Sequence, residues 1–337
     1  MPPSGLETVL KAAPGGAFTV GFDPRDKERL LGMWEEILTS QRWSEGPFTE
    51  QFERRWGEWN GLPAVATSSW SGAALAALEY IGVRDQVVLC PSNTFAATPY
   101  SVLKAGGKVQ FVDCNRNDLC LSYEDFVAKA ERFRPKAAWL VHIGGHIAFE
   151  VERIAAYCRE KGIWLLEDCA HAHGAGWNGR KPGSWGAAGV YSFYATKTIS
   201  TGEGGMLVSR DPKMIDFARK FRNYGKPDYA TPGLNFRISE FTAALGIVQT
   251  ERMPEIVAWK REYARQWLDA RFKSRLQLPA GMQSGYYKYI VFEPVEPSTG
   301  KVYEQPCHKL MKSDVELPNT DWVAKNHWCV PIYYPRG

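Results

Sequence analysis

Acidic side chains and a lysine stand at the ends of two apolar stretches of this sequence. Residues 163–166 are apolar and lead directly into two carboxylates, Glu167 and Asp168. Residues 188–194 are the second, mostly apolar stretch, and they lead to a single lysine, Lys197, ahead of a glycine-rich turn. If both stretches are parallel strands, an acid and an amine meet at the carboxyl edge of the sheet, where α/β proteins bind ligands.

An acid and a lysine in this arrangement suit pyridoxal phosphate. The amine of Lys197 would form a Schiff base with the cofactor aldehyde, and one of the carboxylates would keep the pyridine nitrogen protonated so that the ring accepts electrons. The alternative is a strand-end carboxylate in an ordinary ion pair and a lysine on the surface. These two residues by themselves do not decide between the two interpretations.

A third stretch could bind the phosphate of such a cofactor. Residues 64–67 form a predicted strand, and the small-residue sequence SSWSG leads from it into a helix that opens near Ser71 and Gly72. Small residues let a backbone approach a ligand closely, and a helix N-terminus offers unpaired N–H groups to an anion. Taken alone, this stretch of residues favours an ordinary helix capped by Ser69 or Ser71.

An aromatic residue follows the next predicted strand. Residues 87–90 form this strand, and a helix capped by Asn93 or Thr94 is predicted after it, with Phe95 in its first turn. A ring at this edge of the sheet can stack on a pyridine ring. It can equally be part of the hydrophobic core, and this segment does not decide between the two.

The elements that must position these residues alternate between strands and helices. Strands are predicted at 108–112 and 137–142, and helices at 151–161 and 212–221. Two earlier helices are predicted near the N-terminus from apolar residues at helical spacing. Repeated strand–helix units of this length predict an α/β fold with a mostly parallel central sheet and helices on both faces.

The pattern changes towards the C-terminus and indicates a second, smaller domain. A helix is predicted from about Ser239, followed by a long helix at 254–272 and then by short strand signals among prolines. We therefore predict a flexible tail at 1–16, a large α/β domain at 17–250 and a small α+β domain at 251–337.

Composition limits the classes of function. The chain has 337 residues, of which 45% are hydrophobic and 23% charged, as in ordinary globular enzymes. A net charge of +4 without a basic run does not indicate nucleic-acid binding. Seven cysteines without CxxC spacing indicate free thiols in a reducing compartment and no metal site. Neither a signal peptide nor a membrane span is recognisable, so a cytoplasmic protein is expected.

In sequence order, these stretches resemble the DegT/DnrJ/StrS family of sugar aminotransferases, within the fold-type-I group of pyridoxal phosphate enzymes. Each motif is weak alone, but seven in the same order over nearly the whole chain are specific. They are GPFTEQFE at 46–53, SWSGAAL at 69–75, PSNTFAAT at 91–98, AGGKVQFVD at 105–113, EDCAHAHGA at 167–175, SFYATKTISTGEGG at 192–205 and GLNFRISEFTAALGIVQ at 233–249.

The resemblance implies roles for the residues around the cofactor ring. Lys197 resembles the Schiff-base lysine, and Asp168 resembles the partner of the pyridine nitrogen. His171, where many relatives have Gln, resembles the residue beside the 3-hydroxyl group of the cofactor. Phe95 resembles the aromatic residue that stacks on the ring.

The resemblance also implies how the phosphate is held. Ser71, Gly72 and Ser192 resemble phosphate-binding residues, although many relatives carry Gly-Thr where this chain has Ser71-Gly72. Asn235 resembles an asparagine that reaches the phosphate from the partner subunit. The resemblance therefore implies a homodimer with shared active sites.

The implied function is a pyridoxal-phosphate-dependent aminotransferase that converts a keto sugar, expected to be nucleotide-linked, with an amino acid such as glutamate as donor. One alternative is an aminotransferase for a keto-cyclitol of antibiotic biosynthesis. A second is a sugar dehydratase, in which the lysine is replaced by histidine, whereas Lys197 is present here. A third is a non-catalytic sugar-binding regulator, against which the intact Asp168 and Lys197 argue.

Overall fold

A seven-stranded sheet lies at the centre of residues 22–334, the part of the chain that the computed structural model describes. The strands of the protein are β1 (Ala64–Thr67), β2 (Val87–Pro91), β3 (Lys108–Val112), β4 (Ala137–Val141), β5 (Trp164–Asp168), β6 (Gly176–Trp177), β7 (Ala188–Ser192), β8 (Gly205–Ser209), β9 (Met282–Gln283), β10 (Tyr289–Val291) and β11 (Trp328–Val330). The order in the central sheet is β1-β8-β7-β5-β4-β2-β3. Only β8 is antiparallel to its neighbours, so the predicted mostly parallel sheet is confirmed.

Helices cover both faces of this sheet, as predicted. They are α1 (Lys27–Ser40), α2 (Pro47–Asn60), α3 (Trp70–Ile81), α4 (Ala97–Lys104), α5 (Tyr123–Phe133), α6 (Val151–Lys161), α7 (Pro212–Phe221), α8 (Glu240–Tyr263), α9 (Cys307–Leu310) and α10 (Pro318–Asn326). Side chains of α3, α4 and α7 pack in one core layer, and those of α1, α2, α5, α6 and α8 pack in the other. Because strand residues alternate in direction, Leu165 and Leu166 of β5 belong to different layers.

Two helix predictions are wrong. The helices predicted from Ser239 and at 254–272 are one helix, α8, which contains Pro254. A proline inside a helix costs about 3 kcal/mol, but burial of Met253, Ile256 and Val257 around it offsets this cost. The domain boundary predicted at residue 250 therefore falls within α8, and the division into two domains stays a prediction.

The start of α4 also differs from its prediction. Asn93 does not cap it, since its side-chain amide donates to the carbonyl of Leu119 at 2.9 Å, and the Thr94 hydroxyl pairs with that of Thr98. The helix begins at Ala97, so Phe95 lies in the loop before it. A further helix, α5, was not predicted, although the Ser122 hydroxyl caps it by accepting from the backbone of Asp125.

Two glycines after β4 dock the C-terminal segment onto the sheet edge. Gly144 and Gly145 have positive φ angles of 66° and 110°, and a Cβ on Gly145 would lie 2.6 Å from the backbone nitrogen of Tyr287. The carbonyl of Gly145 accepts from Gly285 at 2.7 Å, and that of Gly144 accepts from Lys288 at 2.8 Å. These contacts hold the side chains of Tyr287 and Lys288 near the carboxyl edge of the sheet.

Three predictions concern the chain as a whole. The predicted tail at 1–16 lies outside the described residues. All seven cysteines are free and buried, as expected for thiols that form no disulfide. Within residues 22–334, no helix combines the length and the apolar character needed to cross a bilayer.

Candidate active site

Residues at or after the ends of four parallel strands meet at one edge of the sheet. They are Thr98 in the first turn of α4 after β2, Gly144 after β4, Asp168 and His171 at the end of β5, and Lys197 after β7. Parallel neighbours end at the same edge, so side chains distant in sequence come together there. This edge is the candidate active site.

Asp168 is a buried carboxylate held by three donors. Its Oδ1 accepts from the indole Nε1 of Trp70 at 3.1 Å and from the backbone nitrogen of Ala170 at 3.0 Å, and its Oδ2 accepts from the Thr98 hydroxyl at 2.9 Å. Burial raises the pKa of the Asp168 carboxyl, and the hydrogen bonds from Ala170 and Thr98 and the charge of Lys197 oppose that shift. The carboxylate is therefore fixed in orientation before any ligand binds.

Lys197 lies in the turn after β7, where its backbone nitrogen donates to the carbonyl of Tyr194 at 2.9 Å. Desolvation lowers the pKa of its amine to about 8, against the attraction of Asp168 and with help from the charge of Lys288. The amine is consequently neutral more often than an ordinary lysine amine near neutral pH, and the neutral form is the nucleophile. Its Nζ lies 5.0 Å from the centre of the Tyr287 ring.

His171 is a buried imidazole between two tyrosines and the β4 loop. Its Nδ1 accepts from the backbone N–H of Gly144 at 3.4 Å, which assigns the proton of the neutral ring to Nε2. Nε2 lies 3.5 Å from the hydroxyl of Tyr303, and the ring stacks on Tyr287 at 4.2 Å between centroids. Burial, then the charges of Lys197 and Lys288, lower the pKa of His171 well below its usual value, so the ring is a neutral donor.

The structure adds residues that the sequence analysis did not identify. Trp70 and Thr98 lie within predicted motifs, so their positions, although not their roles, were visible in the sequence. Tyr287 and Tyr303 come from the C-terminal segment, and no local pattern linked them to Lys197 or His171. Burial, and next the charge of Asp168, raise the pKa of Tyr303 well above its usual value.

Phe95 is 67% exposed, so it is not part of the core. It lies in the loop before α4. Its ring is thus mostly exposed to solvent within the described part of the chain. Stacking on a cofactor remains the predicted role.

The predicted phosphate binders lie around the first turn of α3 and the end of β7. Ser69, not Ser71, caps α3, because its hydroxyl accepts from the backbone nitrogen of Gly72 at 3.3 Å. Ser71 is exposed in the first turn. A Cβ on Gly72 would lie 2.9 Å from the ring of Phe236, so glycine permits this close packing. Ser192 is buried at the end of β7, and its hydroxyl accepts from Tyr194 at 3.3 Å.

Asn235 is exposed in the loop before α8. Its side-chain oxygen accepts from the backbone nitrogen of Arg237 at 3.2 Å, and the adjacent Phe236 carbonyl accepts from Ser68 at 2.7 Å. The loop is therefore pinned to the start of α3 while Asn235 itself stays accessible. Its contact with the cofactor of a partner subunit stays a prediction.

One cluster near the site has metal-ligating side chains, namely His142, Glu167 and Cys169. The two oxygens of Glu167 already accept four hydrogen bonds, from Gly183, Trp185, Gly186 and His142. His142 Nδ1 accepts from the backbone of Ala148, so its Nε2 is the protonated donor to Glu167. The cluster is thus a satisfied internal network that fixes the loop before β7.

The chemistry of the site fits pyridoxal phosphate. Oδ2 of Asp168 accepts one hydrogen bond, from Thr98, and retains a lone pair for a protonated pyridine nitrogen. Lys197 supplies an amine with a lowered pKa, and the neutral His171 supplies an Nε2–H donor. The first turn of α3 offers backbone N–H groups near the same edge.

Known proteins resemble this chain in sequence and in fold. The sequence matches the DegT/DnrJ/EryC1/StrS aminotransferase family over residues 24–335. It is 30% identical to dTDP-3-amino-3,4,6-trideoxy-alpha-D-glucose transaminase of Micromonospora megalomicea subsp. nigra, over 92% of this chain and 91% of that protein. It is 32% identical to GDP-perosamine synthase of Vibrio cholerae, over 66% of this chain but only 62% of that protein. The solved structure of the aminotransferase TlmJ from Streptoalloteichus hindustanus has a TM-score of 0.83 at 28% identity, covering 90% of each chain.

Proposed function

Since this chain belongs to the DegT/DnrJ/EryC1/StrS aminotransferase family, we propose that it uses pyridoxal phosphate to convert a nucleotide-linked keto sugar into an amino sugar. The observation that carries the proposal is the pair of a buried, three-fold hydrogen-bonded Asp168 and a desolvated Lys197 at one sheet edge. The relatives named above act on dTDP- and GDP-linked sugars, which supports a nucleotide-linked substrate. An amino acid such as glutamate would be the donor.

Bound pyridoxal phosphate supplies an electron sink for the carbanion that transamination creates. Asp168 would hold the proton on the pyridine nitrogen, because its fixed, buried carboxylate favours a positive charge beside it. Lys197 would first hold the cofactor through its Nζ. Once released by the donor amine, the same Nζ would carry the proton between the substrate carbon and the cofactor carbon.

His171 would orient the ring in its plane. Its Nδ1 is occupied by the Gly144 N–H, so its Nε2–H is the donor available to the 3-hydroxyl oxygen of the cofactor. Phe95 would cover one face of the ring, and its exposure leaves it available for that contact. Ser71, Gly72 and Ser192 would bind the phosphate.

A homodimer would complete the site, with Asn235 reaching the phosphate of the partner. Three large apolar side chains support a covered surface, since Phe95, Tyr229 and Leu234 are 67%, 66% and 58% exposed. An isologous interface would present the Asn235 loop of each subunit to the other. The seven free, buried thiols support a reducing compartment such as the cytoplasm.

The relatives favour sugar amination over the other three functions. A dehydratase would replace the lysine, and a non-catalytic regulator would not require the lowered pKa of Lys197 beside Asp168. A keto-cyclitol would need the same cofactor chemistry, so the substrate panel of the experiment includes one.

The test is a direct assay of the purified, cofactor-loaded protein. L-glutamate is combined with dTDP- and GDP-linked keto sugars and with a keto-cyclitol, and products are identified by mass spectrometry. We expect 2-oxoglutarate and an amino sugar in equal amounts, and neither product with Lys197→Ala. Amination of the cyclitol alone would replace the proposed substrate class, and no amine transfer at all with the wild-type protein would refute the function.

A further inference from the structure

Lys288 brings a second amine to the active site from the C-terminal segment. Its backbone N–H donates to the Gly144 carbonyl at 2.8 Å, and the Gly144 N–H in turn donates to His171. Its Nζ lies 5.3 Å from the centre of the Tyr287 ring, the same ring that has Lys197 Nζ at 5.0 Å. The Tyr287 hydroxyl is fixed by a 3.2 Å hydrogen bond with Thr196. Lys288 is therefore tied to the catalytic edge at two points.

The positive charge of Lys288 has no acidic partner among the described residues. Among residues 22–334, the ion pairs within 4.0 Å involve neither Lys288 nor its neighbour Lys260. Lys260 is 7% exposed, and its Nζ donates to the backbone carbonyl of Tyr286 at 3.0 Å. The carboxylate that attracts Lys197 is Asp168, which the cofactor ring would engage. Lys288 is thus a cation near this edge that no carboxylate of the described residues neutralises.

The charge of Lys288 lowers the pKa values of neighbouring groups. The pKa of Lys260 is lowered to about 7, first by burial and then by the charge of Lys288, and Lys288 also lowers the pKa values of Lys197 and His171. A half-buried ammonium that repels its neighbours is stabilised when an anion binds to it. Both substrates of the proposed reaction are anionic, and the carboxylate of an amino donor is attached to the same carbon as its reacting nitrogen.

We propose that Lys288 binds an anionic group of a substrate, either the carboxylate of the amino donor or the diphosphate of the nucleotide-linked sugar. The proposal rests on the proposed function, because it places the anion beside the amine that transfers the proton. Lys288 would act by charge and by its position over the Tyr287 ring, which a longer arginine could reproduce and an isosteric apolar side chain could not.

The experiment separates the two half-reactions. Three cofactor-loaded proteins are compared: the wild type, Lys288→Met and Lys288→Arg. In the first arm each protein is mixed rapidly with L-glutamate. In the second arm each protein, with its cofactor already aminated, is mixed with dTDP- and GDP-linked keto sugars, and the cofactor absorbance is followed in both arms. We expect Lys288→Met to raise the half-saturating substrate concentration by about tenfold in one arm, with a maximal rate within about threefold of wild type. Lys288→Arg should bring the half-saturating concentration most of the way back to the wild-type value. A shift in the glutamate arm assigns the carboxylate, and a shift in the sugar arm assigns the diphosphate.

Lys309→Met is the matched control, since Lys309 is 53% exposed and its nearest acid is Asp321 at 3.4 Å. This control is expected to leave both arms unchanged. Half-saturating concentrations of Lys288→Met within about twofold of wild type in both arms would overturn the proposal. So would an equal fall of the maximal rates together with a loss of bound cofactor, which would indicate a structural role. Lys288→Gln replaces Lys288→Met if the latter does not fold.

A failure of the proposed function is distinguishable from a failure of this proposal. If the wild-type protein reacts in neither arm, binding of glutarate and of pyrophosphate is measured by calorimetry with wild type and Lys288→Met. Weaker binding of one anion by about tenfold in the variant would still support an anion site at Lys288, and equal binding of both would refute it.

Discussion

Glu167 and Asp168 are consecutive residues of β5, yet their carboxylates serve opposite faces of the sheet. Successive strand residues point in opposite directions, so the two acids enter different environments. Glu167 accepts three backbone N–H bonds from residues 183–186 and one from His142. Asp168 faces the site and accepts from Trp70, Thr98 and Ala170. One acid therefore fixes a loop, and the other is available to a cofactor.

Asp168→Asn should lower kcat by at least about a hundredfold, which corresponds to about 2.7 kcal/mol of barrier. The neutral amide would no longer stabilise a protonated pyridine nitrogen, so the electron sink weakens. Steady-state kinetics and a cofactor titration measure the effect, and cofactor affinity should fall less than turnover. Activity within a few-fold of wild type would assign the ring partner to another residue.

Glu167→Gln is the matched variant on the other face. The amide nitrogen of the glutamine would face N–H donors that now donate to a carboxylate oxygen, so those hydrogen bonds would be lost. We therefore expect the free energy of unfolding to fall by about 2 kcal/mol. At a temperature where the protein is folded, kcat should stay within about threefold of wild type. Denaturant unfolding and kinetics on the same preparation check both parts. A hundredfold loss of kcat without a loss of stability would reverse the roles given to the two acids.

Lys197→Ala should abolish turnover and the absorbance of lysine-bound cofactor, because no other amine is proposed to hold the aldehyde. Absorbance spectra and product analysis test this directly. Lys260→Met is a useful comparison, since Lys260 is also buried with a pKa lowered to about 7. Near-normal turnover by Lys197→Ala would contradict the assignment and make Lys260 the first alternative.

The lowered pKa of Lys197 predicts a pH dependence for loading the cofactor. The neutral amine is the reactive form, and its fraction grows as the pH rises through about 8. The rate at which the apo protein binds pyridoxal phosphate covalently should therefore increase through that region and then level off. In Lys288→Met the midpoint should move to higher pH, because the charge of Lys288 contributes to lowering the pKa of Lys197. A rate independent of pH across this range would show that deprotonation of Lys197 is not limiting.

Two inactive variants test whether the active sites are shared. Lys197→Ala removes the amine, and Asn235→Asp brings a carboxylate against the phosphate. If Asn235 acts on the partner subunit, a mixed dimer has one site with both lesions and one with neither. Reassembled mixtures should then regain up to about a quarter of wild-type activity, since half of the dimers are mixed and half of their sites are intact.

The control for this experiment is the amount of mixed dimer, measured with two different affinity tags. Each variant reassembled alone should stay inactive. Mixed dimers that form in the expected amount without activity would show that Asn235 acts within its own subunit or has no role at the phosphate. The exposure of Asn235 in its own chain is the reason to expect the opposite result.

The order of motifs and the apolar strands were sufficient to predict the family and the mostly parallel sheet, and both are confirmed. Asp168 lies at the end of β5 and Lys197 in the turn after β7, and their roles stay predictions. Local patterns encode these features, because a strand of four or five apolar residues and the polar residue after it are adjacent in sequence. The same reasoning placed α6 and α7 at their observed bounds.

Only the tertiary structure decided which distant residues complete the site. Tyr303 is 132 positions from His171, and Trp70 is 98 positions from Asp168, so no local pattern could pair them. The same is true of the docking of Lys288 on Gly144 and of the continuity of α8 through Pro254, where packing outweighs a local helix-breaking signal. The motif resemblance singled out Asp168 rather than Glu167, but only the structure shows the physical reason, since the pleat of β5 turns the two carboxylates towards different faces of the sheet.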